Sequence, residues 1–261
     1  MNIKFSKYQG TGNDFVLIDN REQLISPDNF LLFEKLCDRR FGIGADGLML
    51  LENADGFDFR MRYYNSNGRE GSMCGNGGRC IIAFAHHLGV IADKTKFIAV
   101  DGEHEAKVHQ SNDGLKVSLK MIDVTTIEFG KDFYFLDTGS PHLVKFIDHH
   151  EQFDTFTEGK NIRYNDRFKE VGTNVNFVSL HQDHIQVSTY ERGVEDETYS
   201  CGTGVVASAI SSSFKTNSDK FKIKTKGGDL EVNFDKIDEQ SIENIWLIGP
   251  ATHVFDGILK I

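Results

Sequence analysis

Two landmarks of the sequence recur at one offset. Thr11-Gly12-Asn13 returns as Thr138-Gly139-Ser140, and Cys74-Gly75-Asn76-Gly77 returns as Cys201-Gly202-Thr203-Gly204, each 127 residues later in a chain of 261. A third pair, Asp101-Gly102 and Gly227-Gly228, follows its cysteine by about 27 residues and precedes a strand-like run in both places. Order and spacing kept over three landmarks mark an internal duplication, so the chain is expected to fold as two similar halves. Each half then offers a Cys-Gly-X-Gly turn leading into a helix.

The run of elements agrees between the halves. Ile3 to Tyr8 and Phe15 to Asp19 read as strands around the turn-forming cluster Gly10-Thr11-Gly12-Asn13-Asp14. Ser26-Pro27 supplies an N-cap and a first-turn proline for an amphipathic helix carrying Phe30, Leu31, Phe33, Leu36 and Cys37, which should run to about Arg39. Strands follow at Gly47 to Glu52 and Asp58 to Asn65, the second alternating Phe59, Met61 and Tyr63 with Arg60, Arg62 and Tyr64. After the first Cys-Gly-X-Gly turn, Arg79 to Leu88 is apolar and small on most sides, as a buried helix requires. Strands at Phe97 to Val100, Glu105 to His109 and Leu115 to Lys120 close the first half. The second half reads as strands near Phe133 to Asp137, Leu143 to Ile147, Asn176 to Leu180 and Ile185 to Glu191, then a small-residue helix from Val205 to Phe214. Strands at Phe221 to Thr225, Leu230 to Phe234 and Ile245 to Ile248 complete it, and Gly249-Pro250 separates a last extended piece, Ala251 to Ile261. Phe41 to Gly47 contains a formal G-x-G-x-x-G, but it follows a helix end rather than a strand and so reads as a C-cap turn, not a dinucleotide loop.

A cysteine at a helix start sits in the field of the N-terminal N–H groups, which stabilises a thiolate. The same groups form an anion site for a substrate carboxylate and for charge that develops on it. Two such helix ends gripping one carboxylate would let a thiolate remove the proton from the adjacent carbon while the opposing thiol protonates the other face, which inverts a stereocentre. Cys37 and Cys80 read instead as small buried hydrophobes. No C-x-x-C or H-x-x-x-H spacing joins the cysteines to His86-His87 or His149-His150, so no metal site is expected. Glu191-Arg192-Gly193 ends a strand ten residues before Cys201, where an arginine can either hold a second carboxylate bidentately or form a surface ion pair. Asn65, Asn174 and Asn176 read as turn formers or ligands.

The charge balance narrows the partner. With 29 Lys and Arg against 39 Asp and Glu, a net charge of −10 and no basic run longer than two, nucleic acid and anionic membrane are excluded as partners in favour of a small molecule. No apolar run of 18 residues occurs, and Met1-Asn2-Ile3-Lys4-Phe5 lacks the apolar core of a signal peptide, so a cytoplasmic chain with its cysteines as thiols is expected.

These residues resemble the diaminopimelate epimerases. The matching motifs are Gly12-Asn13-Asp14-Phe15, Phe41-Gly42-Ile43-Gly44-Ala45-Asp46-Gly47, Met73-Cys74-Gly75-Asn76-Gly77-Gly78-Arg79-Cys80, Tyr190-Glu191-Arg192-Gly193 and Ser200-Cys201-Gly202-Thr203-Gly204. Ala251-Thr252-His253 with Asp256-Gly257 resembles the family's ending, so the resemblance covers nearly the whole chain. It implies an α/β (α+β) fold of two pseudo-symmetric halves, each a mostly antiparallel, barrel-like sheet around a central helix, with the substrate between them. The halves would be residues 1–121 plus 250–261, with the first catalytic cysteine, and 122–249, with the second. It also implies cofactor-independent epimerisation of LL-2,6-diaminopimelate to the meso isomer, in lysine and peptidoglycan precursor synthesis, by a cytoplasmic homodimer.

Carried over by position, Cys74 and Cys201 correspond to the two acid/base residues, and Gly75, Asn76, Gly202 and Thr203 to the groups that hold the reacting carboxylate. Asn13 resembles a substrate-contacting asparagine, Asn65, Asn174 and Arg192 the residues around the distal carboxylate, and Glu191 the one at the distal ammonium. His142 matches an active-site histidine. Two positions depart from the family: Gly47 stands where many members carry glutamine and has no side chain to offer, and Ser140 replaces an asparagine with a shorter hydroxyl. A proline or hydroxyproline racemase of the same fold and a non-enzymatic thiol redox or binding module stand as rivals. Glu191-Arg192 favours a substrate with a distal ammonium and carboxylate over proline. A reactive pair of this kind should also be open to a silencing Cys74–Cys201 disulfide in air.

Overall fold

Strict alternation makes a strand of the first segment: in β1 (Asn2–Gly10), Ile3 and Phe5 are buried between exposed Asn2 and Lys4. The computed structural model describes residues 2–111 and 114–260. The chain divides into two compact units, Met1–Leu119 with Gly249–Ile261, and Lys120–Ile248.

In the first unit β1 turns through Thr11 and Gly12, both at positive φ (51° and 94°), into antiparallel β2 (Asn13–Asp19). Helix α1 (Phe30–Cys37) leads to β3 (Gly47–Glu52), parallel to β2, and to β4 (Phe59–Asn65), antiparallel to β3. The two-residue β5 (Glu70–Gly71) pairs with β4 and precedes helix α2 (Gly75–His87). Next, β6 (Lys94–Ala99) returns parallel to β4, and β7 (Gly102–Ser111) and β8 (Gly114–Lys120) extend the sheet antiparallel. The strand Thr252–Lys260 adds to the other edge of β1. Helix α2 packs against β1, β2, β3, β7 and that last strand, and Gly75 to Ala85 are all buried, so the sheet curves around it. On the other face Phe33, Leu36 and Cys37 of α1 pack with Val16, Ile18, Leu48, Leu50 and Tyr64.

The second unit contains β9 (Ile127–Phe129), β10 (Phe133–Asp137), β11 (Pro141–Phe146), α3 (Thr155–Arg163), β12 (Asn174–Leu180), β13 (Ile185–Glu191) and β14 (Asp196–Thr198). Helix α4 (Gly202–Thr216), β15 (Lys220–Thr225), β16 (Gly228–Lys236) and β17 (Ile242–Pro250) follow. Its ladders run antiparallel β10/β11, parallel β11/β12, antiparallel β12/β13, parallel β13/β15 and antiparallel β15/β16/β17, with β14 on β13. That is the sequence of ladders of the first unit element for element, with β9 against β10 as β18 (Thr252–Lys260) is against β1. Here α4 takes the wrapped position, packing on β10, β11, β12, β13, β15 and β16. The duplication and the mixed α/β, mostly sheet class expected from the sequence are both present. The sheets, however, do not close: among the described residues no ladder joins β8 to β18, and in the second unit an isolated bridge, Val124 with Ile242, stands in place of one.

Local expectations differ in three places. Ser26-Pro27 does not cap α1, because the Ser26 carbonyl accepts from Asn29 N–H at 3.1 Å in a separate turn, and the helix starts at Phe30 behind Asn29. It stops at Cys37, since Asp38 is extended and its carboxylate takes the N–H groups of Arg40 and Phe41 at 2.7 and 2.8 Å. In β4 the fully buried tyrosine is Tyr64 rather than Tyr63, because α1 covers that face: the Tyr64 ring lies 4.3 Å from Phe33, and its hydroxyl donates to Pro27 O at 2.8 Å. Helix α3 was not expected; it is capped by Asp154, which accepts from Thr157 N–H at 3.0 Å, and packs on β12, β13 and β14.

Candidate active site

Both Cys-Gly-X-Gly turns become helix N-termini of matching shape. Cys74 (φ −110°, ψ 139°) caps α2 and Cys201 (φ −110°, ψ 112°) caps α4, and their carbonyls accept from Gly78 and Val205 N–H at 2.7 and 2.9 Å. Each helix start therefore directs backbone N–H groups and the positive end of its dipole toward its cysteine. The Cys74 sulfur accepts from Gly77 N–H at 3.3 Å, whereas the Cys201 sulfur lies 3.5 Å from Thr203 Oγ1. Cys74 is half-buried and Cys201 is 8 % exposed. Burial above all pushes the thiols of Cys37 and Cys80 up to about 12, so both stay protonated and serve packing. None of the four cysteines forms a disulfide.

The other landmark of the repeat meets these helix starts in each unit. Thr11 Oγ1 donates to Asn76 Oδ1 at 3.3 Å, and Thr138 Oγ1 donates to Thr203 O at 2.9 Å. Asn13 is clamped from two sides, its oxygen accepting from Asn76 Nδ2 at 2.6 Å and its nitrogen donating to Asp46 Oδ2 at 3.0 Å. Asp46 comes from the glycine-rich turn, which is a helix exit as read from the sequence: Ile43 and Gly44 N–H reach Leu36 O at 2.9 and 3.1 Å, and Gly44 takes φ 82°. Arg39 bridges Asp46 and Asp14 at 2.7 and 2.6 Å, and Lys7 pairs with Asp14 at 2.7 Å. Burial alone would raise the Asp14 carboxyl, but Arg39 and Lys7 outweigh it and hold it at about 2.

Gly47 sits opposite Asn65 in the β3/β4 ladder, and the ring of Tyr63 occupies the space beside it. A Cβ at Gly47 would stand 2.5 Å from Tyr63 Cε2 and 2.7 Å from Tyr64 O, so in this chain the ring fills the room that a side chain at 47 would need. Asn65 is exposed, with its amide 3.4 Å from Arg69 O.

In the second unit the polar groups form one chain around a buried imidazole. Asn176 donates to His142 Nδ1 at 3.0 Å and to Leu143 O at 3.1 Å, while its oxygen accepts from Thr189 Oγ1 at 2.9 Å. Nδ1 is thus an acceptor, and the His142 proton is assigned to Nε2, which faces Thr203 Oγ1 at 2.9 Å and Ser140 Oγ at 3.0 Å. Burial first, then the Arg192 charge, lowers this imidazole to about 3, so it is neutral at pH 7. Thr203 consequently receives a hydrogen bond from His142 and can give one to the Cys201 sulfur. Asn174 ties the cluster to the Glu191-Arg192 turn, donating to Ser140 Oγ at 3.1 Å and accepting from Arg192 N–H at 2.8 Å. That turn follows β13, with Gly193 at φ 92° and Glu195 N–H closing on Glu191 O at 2.8 Å.

Within the first unit the fold gathers Cys74, Gly75, Asn76 and Asn13, with Gly47 and Asn65 on the adjoining strands; within the second it gathers Cys201, Gly202, Thr203, Ser140, His142, Asn174 and Arg192, with Glu191 at the end of β13. Asp46, Tyr63 and Arg79 were not singled out from sequence. Arg79 had a signal, being a charge inside an otherwise apolar helix. Among the described residues no group of three or more His, Cys, Asp or Glu is placed to hold a metal ion, and no helix is long and apolar enough to cross a membrane.

Comparison with known proteins gives one family. The family model described as diaminopimelate epimerase matches residues 5–126 and 134–254. The diaminopimelate epimerase of Flavobacterium psychrophilum is 52% identical over 260 residues, covering 97% of this chain and 99% of its own. Among solved structures, a PhzF-family phenazine biosynthesis protein of Bacillus anthracis superposes with a TM-score of 0.79 at 13% identity, covering 100% of both chains. A probable proline racemase of Agrobacterium radiobacter gives 0.69 at 15% identity, covering 99% of this chain and 92% of its own. At such identities the last two speak for the fold alone.

Proposed function

The chain belongs to the diaminopimelate epimerase family, a family of isomerases, and we propose that it interconverts LL- and meso-2,6-diaminopimelate with Cys74 and Cys201 as its acid and base. The observation that carries this reading is the cysteine at the same N-cap, with the same φ, in the same place of a duplicated ladder order. One cysteine acts as thiolate and removes the α-proton; the other acts as thiol and delivers a proton to the opposite face. The helix starts at Gly75-Asn76 and Gly202-Thr203 hold the α-carboxylate, where their N–H groups stabilise the enediolate more than the starting carboxylate. That differential is needed because an α-hydrogen is far less acidic than a thiol, and each unit of mismatch adds about 1.36 kcal/mol. His142 is neutral and buried, so it orients Thr203 rather than serving as the base.

At the distal end, Arg192, Asn65 and Asn174 receive the second carboxylate and Glu191 the second ammonium, with Asn13 on the substrate's flank. Both proton transfers use side chains of the enzyme, so the reaction needs no cofactor. The same reading makes the enzyme a cytoplasmic homodimer. The test is exchange of the α-hydrogen with deuterated water during turnover of LL-diaminopimelate, with L-proline as the comparison substrate. Cys74→Ala and Cys201→Ala should each abolish epimerisation; retention of parental exchange and turnover in either variant would contradict the two-base assignment.

A further inference from the structure

Tyr63 is an aromatic side chain that the first unit leaves half-covered. Alternation in β4 turns Tyr64 toward α1 and Tyr63 toward the opposite face, the one wrapped around α2. On that face Phe15 and Met49 are buried, and both lie against Gly77 of the first Cys-Gly-X-Gly turn: a Cβ on Gly77 would stand 3.6 Å from Phe15 Cε1 and 2.8 Å from Met49 Cε. Tyr63 lies beside them, its ring edge-on to Phe15 at 6.2 Å, yet it is only half-buried. Two glycines give the ring its place. One edge reaches over Gly47, where a Cβ would stand 2.5 Å from Cε2, and the other over Gly71, where a Cβ would stand 3.2 Å from Cδ1 and Cε1. The Asn65 amide meets the same point, its Nδ2 standing 2.8 Å from where a Gly71 Cβ would be. The ring thus joins the start of α2, reached through Phe15, to the Asn65 amide, reached over Gly71.

The reading above puts the α-carboxylate at the start of α2 and the distal carboxylate at Asn65. What joins the two ends of such a substrate is a stem of methylenes, which offers no hydrogen bond and gains only by leaving water. Sites for ligands of this kind are walled by apolar and aromatic side chains, with a few polar groups that fix the ends. We infer that Tyr63 is a specificity-determining residue, whose ring lies along the hydrocarbon stem of the substrate and selects for an apolar link between the two amino-acid ends. This rests on the proposed placing of the two carboxylates.

The room the ring takes is the room of a side chain at 47, so the first unit offers the stem a flat apolar surface and, at Gly47, no polar group beside it. The stem does not react, and its contact with the ring is the same in the ground state and in the transition state. Such a contact lowers KM and leaves the chemical step alone. A ring that served only to support the start of α2 through Phe15 would instead act on the reacting end of the substrate, and so on kcat.

The test is steady-state epimerisation of LL-2,6-diaminopimelate and of its 4-hydroxy derivative, which carries a hydroxyl on the middle of the stem, by the intact chain and its Tyr63 variants. The parent should favour the plain stem over the hydroxylated one about tenfold in kcat/KM. Tyr63→Ala should raise the KM for diaminopimelate about tenfold, with a far smaller change in kcat, and should erase the preference for the plain stem. Tyr63→Phe, which keeps the ring, should recover both. Should Tyr63→Ala fail to fold, Tyr63→Gln, a polar side chain without a ring, should show the same loss. Equal kcat/KM for the two substrates in the parent, a fall in kcat at unchanged KM, parental behaviour without the ring, or no recovery in Tyr63→Phe would each overturn the inference. Failure of the activity reading shows differently: the parent would turn over neither substrate, and the inference would fall with its premise.

Discussion

Gly204 ends the second Cys-Gly-X-Gly turn, and the structure leaves no space beside it. A Cβ there would stand 2.3 Å from Asn176 Oδ1 and 3.3 Å from both His142 Cε1 and Thr189 Oγ1. Asn176 is 0 % exposed and cannot swing away, because its oxygen accepts from Thr189 and its nitrogen donates to His142 and Leu143. In Gly204→Ala the start of α4 is crowded against His142 and Thr189, and Asn176 gives up a bond as its oxygen is displaced. Overpacking a tight core costs about 1–3 kcal/mol, and leaving a buried polar group unsatisfied adds about 1–3 kcal/mol. Alanine recovers about 1 kcal/mol through helix propensity and the stiffer unfolded chain. The net expectation is a loss of roughly 1–5 kcal/mol, read as a lower urea midpoint at unchanged m-value. Because Asn176 is the main obstacle, Gly204→Ala should cost less in an Asn176→Ala background than alone, a coupling that a double-mutant cycle measures. A Gly204→Ala enzyme as stable as the parent, or strictly additive with Asn176→Ala, would refute the argument that close approach to the His142 clamp demands glycine here.

Two further outcomes follow from the first unit. Asp14 titrates lower in the folded state than its unfolded value of 3.8, so its stabilisation is complete above that value and is lost as the pH falls toward about 2. Asp14→Asn should therefore flatten the acid limb of urea midpoint against pH, and a limb of unchanged slope would contradict this. Gly47→Gln should be destabilised by about 1–3 kcal/mol because the Tyr63 ring and the Tyr64 carbonyl crowd the site, and a thermal melt should show partial recovery when Tyr63→Ala is added; no recovery would mean the ring is not an obstacle.

The strands were legible where apolar runs are bounded by turn chemistry: β3, β10 and β13 lie where Gly47 to Glu52, Phe133 to Asp137 and Ile185 to Glu191 were read. Helix α3 was not, because Thr155 to Arg163 shows hardly any apolar face. It docks through absences, with Gly159 set so close to Tyr190 that a Cβ would be 2.3 Å from that side chain's own Cβ. At Ser26-Pro27 the capping residues were present but served a turn, a choice made by where α1 can reach the sheet. Alternation in β4 could not tell which tyrosine α1 would cover. The two N-cap cysteines were readable because a repeat and a helix start are local signals. The charge of Arg79 inside a mostly apolar helix was a signal, but its partners were not legible, since Thr11 and Pro250 lie far apart in sequence and meet over the start of α2. The Asp46–Asn13 bond is equally hidden, because a glycine-rich turn announces its own shape and not the strand loop it will touch.

The ladder of β1 with β18 has a consequence for how the protein is made. Residues 2–9 find their partners at residues 252–260, so the first unit cannot complete its sheet until the whole second unit has been synthesised. At ordinary elongation rates that interval is on the order of ten to fifty seconds. Through it, the nascent chain exposes a strand edge with Ile3 and Phe5 beside it, the kind of surface that invites pairing with another chain. The second unit, continuous in sequence, has all its own strands once β17 emerges. It is then expected to fold first on the ribosome and leave the first unit, which carries Cys74, as the late step.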